Sequence, residues 1–269
     1  MVVDSHVHLL PPRLQARIRE FLVAHAGAVF AYPTDHGEVV ESLAIEGIAE
    51  VWSLPYARRP GVADGLNDAM ASIARSSTSV SIVGGATVHP GDDDPVRVVR
   101  RAVEDLGLRV LKLHCSVGEY TPDDSRLDVV WEYVSVVCVP VVVHAGHAPS
   151  GHTVADELAR VATVAARYPD ARIVVAHCGH RAVDAALDIV VSNDHVYADL
   201  TPVVSEPVAL PADRAEQLSP RLLFGSDAPN AARKVRDDLD DLRRLALSAE
   251  AMTAITGGNA RRLIDQIAT

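Results

Sequence analysis

Histidines at particular spacings carry the first signal of chemistry. His6 and His8 stand two apart in Val-Asp-Ser-His-Val-His. His144 closes Val-Pro-Val-Val-Val-His, His177 closes Arg-Ile-Val-Val-Ala-His, and Asp227 follows Leu-Leu-Phe-Gly-Ser. Imidazole nitrogens and carboxylate oxygens are the usual ligands of a divalent cation such as zinc. Residues i and i+2 of a strand point the same way, so His6 and His8 can reach one ion together. Taken singly, each of these residues also has a bland reading. A histidine ending a strand is often capped by a backbone group, and Asp227, with Pro229 behind it, also suits a helix cap. Four histidines and one aspartate at four strand ends form a ligand set, for one ion or two.

Lys112 ends another apolar run, Arg-Val-Leu-Lys-Leu-His. The chain has 23 arginines and only two lysines, Lys112 and Lys234. A position that keeps lysine can use an amine that loses its proton, which arginine cannot offer. Burial beside positive neighbours would depress the Lys112 pKa. Two readings stand: a carbamate, formed with carbon dioxide, that bridges two metals, or a lysine hydrogen-bonded to a nearby carboxylate. His114 shares the Lys112 face and reads as a substrate or oxyanion contact.

The remaining candidates are weaker. Tyr56, Arg58 and Arg59 follow the second run and suit either a substrate carboxylate, which an arginine fork matches, or a solvated basic loop. His89 lies at a strand end, as a substrate contact or a loop cap. His147 and His152 follow His144, at the mouth or in solvent. His180 is expected at the start of a helix, and His25, His36 and His195 away from the chemistry. Alternation turns Cys115 and Cys178 away from the site, which disfavours a cysteine nucleophile.

These residues need elements to hold them. Val/Ile-rich runs recur at 2–8, 48–54, 80–88, 109–114, 139–144, 172–177, 196–200 and 221–225. Nearly continuous apolar runs are how strands buried on both faces read. Their ends fall about 31 residues apart, roughly one strand–helix unit. Helical periodicity fills the gaps over 95–105, 153–167 and 237–247, and Asp213 starts another helix after Pro211. Asp92-Asp93-Asp94 before Pro95 is a cap signal. Residues 9–47 make a longer first connection, broken near Tyr32-Pro33. No Gly-x-Gly-x-x-Gly follows the first strand and no phosphate loop occurs, so a closed (β/α)8 TIM barrel is favoured over an open dinucleotide-binding sheet. In such a barrel all eight strand ends open on one face. The expected organisation is a single domain over 1–269.

Composition sets the outer bounds. The chain has 269 residues, 48% hydrophobic, which supports a large core and excludes a disordered chain. Its net charge of −11 argues against a nucleic-acid partner. Three cysteines are too few for a disulfide framework and fit a reducing cytoplasm. The early Asp4 breaks any signal peptide, and the longest apolar stretch, Val136–Val143, is far below the ~20 residues of a membrane span. A cytoplasmic protein acting on a small molecule is expected, with homo-oligomers allowed.

The motifs together resemble the amidohydrolase superfamily, in the branch that includes aminocarboxymuconate-semialdehyde decarboxylase. The matching segments are Val-Asp-Ser-His-Val-His, Thr-Val-His-Pro, Leu-Lys-Leu-His, Pro-Val-Val-Val-His-Ala-Gly, Val-Val-Ala-His-Cys-Gly, Leu-Leu-Phe-Gly-Ser-Asp-Ala-Pro and Gly-Gly-Asn-Ala-Arg-Arg-Leu. They run over residues 3–263 in the family's order. The resemblance implies that His6, His8 and His144 are metal ligands. It implies that His177 binds a second metal or polarises water or substrate, and that Asp227 touches the metal and shuttles a proton. TatD-like nucleases share much of this scaffold but usually place Glu on the fourth strand, where this chain has Lys112. The expected activity is a metal-dependent hydrolase of a cyclic ester or amide, through a metal-activated water. The alternatives are a metal-dependent non-oxidative decarboxylase, and a binding protein that keeps the scaffold without turnover. Zinc is the expected ion.

Overall fold

The computed structural model describes residues 1–76, 79–146, 153–205 and 210–268. Eight strands alternate with helices as the runs predict. β1 (Val2–Val7) leads into α1 (Pro12–Ala26) and α2 (His36–Ile45). Then come β2 (Ile48–Ser53), α3 (Ala63–Ala74), β3 (Ser81–Thr87), α4 (Pro95–Glu104) and β4 (Val110–Leu113). A single turn, α5 (Cys115–Gly118), precedes α6 (Asp128–Val137), β5 (Val141–Val143), α7 (Val154–Arg167), β6 (Ile173–Val175) and α8 (Val183–Ser192). β7 (Val196–Asp199), α9 (Ala212–Leu218), β8 (Leu222–Leu223), α10 (Val235–Arg244), α11 (Ala249–Thr253) and α12 (Asn259–Asp265) complete the chain.

The strands lie in sequence order, all parallel. The chain after β8 closes onto β1 through Ser5 N–H to Phe224 O (2.9 Å), Asp227 N–H to His6 O (2.8 Å) and His8 N–H to Ala228 O (2.7 Å). The architecture is therefore a (β/α)8 barrel. Alternation divides its strands between two layers. Val110, Val142, Val174, Tyr197 and Leu223 pack with Trp52 and Leu54 inside the barrel. Their neighbours Leu111, Val141, Val143, Ile173, Val175 and Ala198 pack outward on the helices. Lys112 continues the inward set of β4, which is why it is fully buried.

β1 departs from simple alternation. Between Asp4 and Val7 it spends three residues against two of β2, Val51 to Ser53. Such a bulge changes the phase of a strand and re-aims its side chains. Val3 belongs to the interior cluster, yet His6 and His8, an odd and then an even step further on, also face the interior.

The helices start and stop on local chemistry. Asp94 caps α4 by accepting from Arg97 N–H (3.1 Å), and Thr153 caps α7 by accepting from Asp156 N–H (3.1 Å). The long first connection is two helices with the joint at Tyr32. Arg19 of α1 donates to the carbonyls of Tyr32, Pro33 and Pro229. This ties the connection to the loop after β8 that carries Asp227.

Three expectations on local structure are corrected. The sixth strand ends at Val175, and His177 lies beyond it in a left-handed conformation (φ 61°, ψ 15°), not in the strand. His180 stands in the turn before α8, which starts only at Val183, because Gly179 and Arg181 also take positive φ and cannot continue a helix. The third predicted late helix spans Val235–Arg244 rather than 237–247, ending where Ala246 turns left-handed. Among the described residues no helix is long and apolar enough to cross a membrane. His147 and His152 lie outside the described residues.

Candidate metal centre at the strand ends

Three side chains from opposite ends of the sequence meet where the barrel closes. His8 Nε2 lies 3.0 Å from Asp227 Oδ1, and His6 Nε2 lies 3.9 Å from the same oxygen. His6, His8 and Asp227 offer ligand atoms that all fall within 4.8 Å of one another. Two ligands of one tetrahedral ion sit roughly 3–3.5 Å apart, so the spread is close to that of a bound set. Gly225 makes the approach possible, since a Cβ there would come within 2.8 Å of the His6 Cβ.

Hydrogen bonds fix which nitrogen each imidazole presents. His8 Nδ1 contacts the Leu54 carbonyl (2.6 Å), and His177 Nδ1 the Thr201 carbonyl (3.2 Å). A carbonyl only accepts, so both Nδ1 atoms carry the hydrogen and both Nε2 atoms offer a lone pair. His6 Nδ1 does the same toward Asp199 Oδ2 at 2.9 Å. Ligating histidines typically have such partners behind them. His144 is different: both of its ring nitrogens are buried with no hydrogen-bond partner among the described residues. Buried nitrogens rarely go unpaired. An unpaired imidazole packed against two others is what a divalent cation satisfies, and His6, His8 and Asp227 form a donor set that fits one. His144 packs on His177 (ring centroids 4.9 Å) and stacks on His114 (3.9 Å), although it joins neither compact ligand trio.

The second trio is His6, His177 and Asp199. Asp199, at the end of β7, is fully buried and accepts from His6 Nδ1, from the His177 N–H (3.0 Å) and from the Thr201 N–H (3.4 Å). The sequence reading did not single it out. The signal was present, since Asp199 is the polar residue at the end of the seventh apolar run, one position before Leu200. Asp4 is a second such carboxylate. Its carboxylate accepts from the His6 N–H, the Ser226 N–H and the Ser226 hydroxyl, and so joins the backbones on either side of Asp227 and His6.

Lys112 Nζ lies 3.4 Å from His6 Nε2, beside the second trio. Burial depresses its pKa to about 8, against the opposing pull of Asp199 and Asp227. Burial likewise lowers the pKa of His6, His114 and His144, each helped by the Lys112 charge, so these imidazoles are neutral ligands or acceptors at neutral pH. Burial alone would raise the Asp227 pKa. The hydrogen bond and charge of His8, with the charges of His6 and His177, outweigh it and leave the carboxyl below its usual range.

The other candidates divide. Tyr56 sits over His8 (5.7 Å between centroids) and His114 (4.9 Å). Burial, and then the Asp227 charge, push its hydroxyl pKa up, so it stays a neutral donor. Arg58 and Arg59 are exposed on the following turn, with no hydrogen bond or ion pair among the described residues. His89 is a loop staple: its Nε2–H donates to Gly118 O and its Nδ1 accepts from Gly91 N–H. Cys115 and Cys178 are buried, and burial raises both thiol pKa values, so neither is a thiolate.

The chain matches the family model described as Amidohydrolase over residues 3–266. No curated protein matches it. Among solved structures it is similar to an uncharacterised TIM-barrel protein, Bb4693, from Bordetella bronchiseptica (TM-score 0.80, 20% identity, 98% of each chain covered). It is also similar to 5-carboxyvanillate decarboxylase from Novosphingobium aromaticivorans, complexed with manganese and a nitrobenzoic acid (0.70, 15%, 98% and 96%). A third is 4-oxalomesaconate hydratase from Rhodopseudomonas palustris (0.65, 13%, 99% and 96%). At these identities the likenesses show the fold.

Proposed function

The chain belongs to the amidohydrolase family, and we propose that it is a metal-dependent hydrolase of a small cyclic ester or amide. The observation that carries this is the convergence of His6 Nε2, His8 Nε2 and Asp227 Oδ1, with the unpaired ring nitrogens of His144 nearby. His6, His8, His144 and Asp227 would hold one zinc-like ion. His177 and a carbamate on Lys112 would hold a second, and Lys112, buried with its pKa near 8, supports that reading. A divalent ion there supplies Lewis acidity, polarising a carbonyl and bringing the pKa of water down toward about 7.

The chain's own residues do the rest. Asp227 takes a proton at its free carboxylate oxygen and returns it to the leaving group. His177, held by Thr201 O, aims Nε2 at the attacking water. Tyr56 donates its hydroxyl to substrate, and His114 lies against it as a second substrate contact. Arg59 on the rim suits a substrate carboxylate. The −11 net charge supports a small molecule over nucleic acid, and we assign the reaction to the cytoplasm and to a single domain over the whole chain.

The experiment is a screen of lactones, amides and carboxylated aromatics with metal-loaded protein, with metal counted in the same sample. Asp227→Asn should lower turnover by roughly 10²–10⁴ at equal metal content. Full activity in that variant with its metal retained overturns the proton role. Two ions per chain support the Lys112 carbamate, and one ion with an unmodified lysine rejects it. Carbon dioxide release without any hydrolysis replaces this reading with a decarboxylase.

A further inference from the structure

We propose that Asp4 and Ser226 form a clasp that holds Asp227 in its left-handed backbone conformation and so aims its carboxylate at the metal centre; both are positioning residues. This rests on reading His6, His8 and Asp227 as metal ligands. Asp227 has φ 62°, a conformation that a residue with a Cβ rarely adopts and that persists where its surroundings hold it. It stands past the end of β8, outside any strand or helix. Its side chain is 32% exposed and meets His8 Nε2 and His6 Nε2. A nitrogen whose lone pair is on a cation has no hydrogen to donate. In the loaded site neither imidazole can therefore aim the carboxylate, and the backbone on either side of Asp227 has to.

That backbone is gripped on both sides. Before Asp227, the Ser226 N–H donates to Asp4 Oδ1 (3.0 Å) and the Ser226 hydroxyl donates to Asp4 Oδ2 (2.5 Å). After Asp227, the Ala228 N–H donates to the Ser226 hydroxyl oxygen (3.1 Å). One serine is thus fixed to Asp4 by main chain and side chain, and reaches across Asp227 to the residue beyond it. Asp227 adds its own N–H on His6 O (2.8 Å), and its carbonyl accepts from the Asn230 N–H (2.8 Å). Asp4 is fully buried and Ser226 is 2% exposed, so water has little access to replace these bonds.

Joining two strands does not need such a device. β5 and β6 pair with Val141 beside Ile173, Val142 beside Val174 and Val143 beside Val175, an apolar seam throughout. A buried carboxylate is costly, and at the β8–β1 seam it sits where ligands arrive from both strands. Asp4 Oδ1 also accepts from the His6 N–H (3.2 Å), within the β1 bulge. The same oxygen therefore holds the His6 backbone and the Ser226 backbone against each other. Asp4 sets the distance between the two segments, and Ser226 sets the turn that presents Asp227.

The test is a double-mutant cycle on zinc affinity, read without substrate by competition against chelators of graded strength. Ser226→Ala removes the hydroxyl and leaves the main-chain N–H of residue 226 on Asp4. It should weaken zinc binding by about 10–100-fold, the loss expected when the support behind a ligand goes. In an Asp227→Ala background there is no carboxylate to aim, and the same substitution should change the affinity by less than about threefold. A hydroxyl that only steadies the barrel would weaken both backgrounds by the same factor, so equal losses overturn the proposal. A zinc affinity in Ser226→Ala within about threefold of wild type overturns it too. Asp227→Ala by itself separates the two readings. An unchanged affinity there removes Asp227 as a ligand and the clasp with it, whereas a loss there with none in Ser226→Ala removes the clasp alone. If Ser226→Ala does not fold, Asp4→Asn enters the same cycle. Its amide oxygen can keep the two N–H groups while its NH2 displaces the serine hydrogen, and its loss must again be larger with Asp227 present than without; equal losses decide against the clasp.

Discussion

Asp199→Asn should weaken metal binding by about 10–100-fold while leaving the barrel folded. The buried Asp199 carboxylate holds three hydrogens: His6 Nδ1–H on Oδ2, and the His177 and Thr201 N–H groups on Oδ1. An asparagine of the same shape has one acceptor atom and one donor atom. If its oxygen keeps the two N–H groups, its NH2 faces His6 Nδ1. His6 must then move its hydrogen to Nε2, the atom that faces the centre, and its ligand lone pair is lost. If the amide turns over, NH2 meets two backbone donors. Either way at least one buried donor goes unpaired, at a cost of about 1–3 kcal/mol for each. With about 1.4 kcal/mol per decade, most of that range falls within the 10–100-fold expected when the partner of a ligating histidine is lost. The assay is zinc competition against a chromophoric chelator at fixed pH. The exposed Asp188→Asn serves as control and circular dichroism checks the fold. A zinc affinity within threefold of wild type in folded Asp199→Asn would refute the role given to this carboxylate.

Two further outcomes are expected. Burial raises the Glu157 pKa from its ordinary 4.5 to about 7, so the folded state holds that proton more tightly than the unfolded chain. The sign follows: stability from this group is full below about pH 4.5 and is lost as pH rises through about 7. Glu157→Gln should therefore gain on the wild type by about 3 kcal/mol between pH 4.5 and pH 8, read as denaturation midpoints of metal-free protein; parallel pH profiles would reject the burial argument. Gly85→Ala should cost about 1–3 kcal/mol, because its Cβ would stand 2.5 Å from the Ser53 carbonyl oxygen, a backbone atom with little room to retreat. A melting temperature unchanged from wild type would show that β2 and β3 can separate more easily than their contact implies.

Much of the fold was legible because its signals are local. Apolar runs, turn residues and a step of about 31 residues depend on how near neighbours bury and pack, and they gave eight strands in order. Asp94 and Thr153 mark helix starts by a bond to a residue three positions on, and such pairs can be read from the chain. The pairing of His6 with His8 was legible for the same reason, since strand geometry relates residues two apart wherever the strand lies. His89 and Arg59 show the limit. Their residue types suit catalysis, but whether a ring nitrogen meets Gly118 O or a substrate depends on a loop folding back over 29 residues.

The strand–helix rhythm, the closed-barrel preference and the residue types that arrive at the strand ends are all written in the local pattern of the chain. How those residues are aimed depends on long-range contacts in the folded barrel. The bulge in β1 that brings both Val3 and His6 inward exists only in the register against β2. The left-handed backbone at His177 and at Asp227 is not favoured by local sterics. It persists where partners hold it, with the His177 N–H on Asp199 and the Asp227 N–H on His6 O. The tautomer of His6 is set by a carboxylate 193 residues away. Periodicity records which face of an element is buried; it carries no record of which distant atom will sit opposite, and a ligand lone pair depends on that atom.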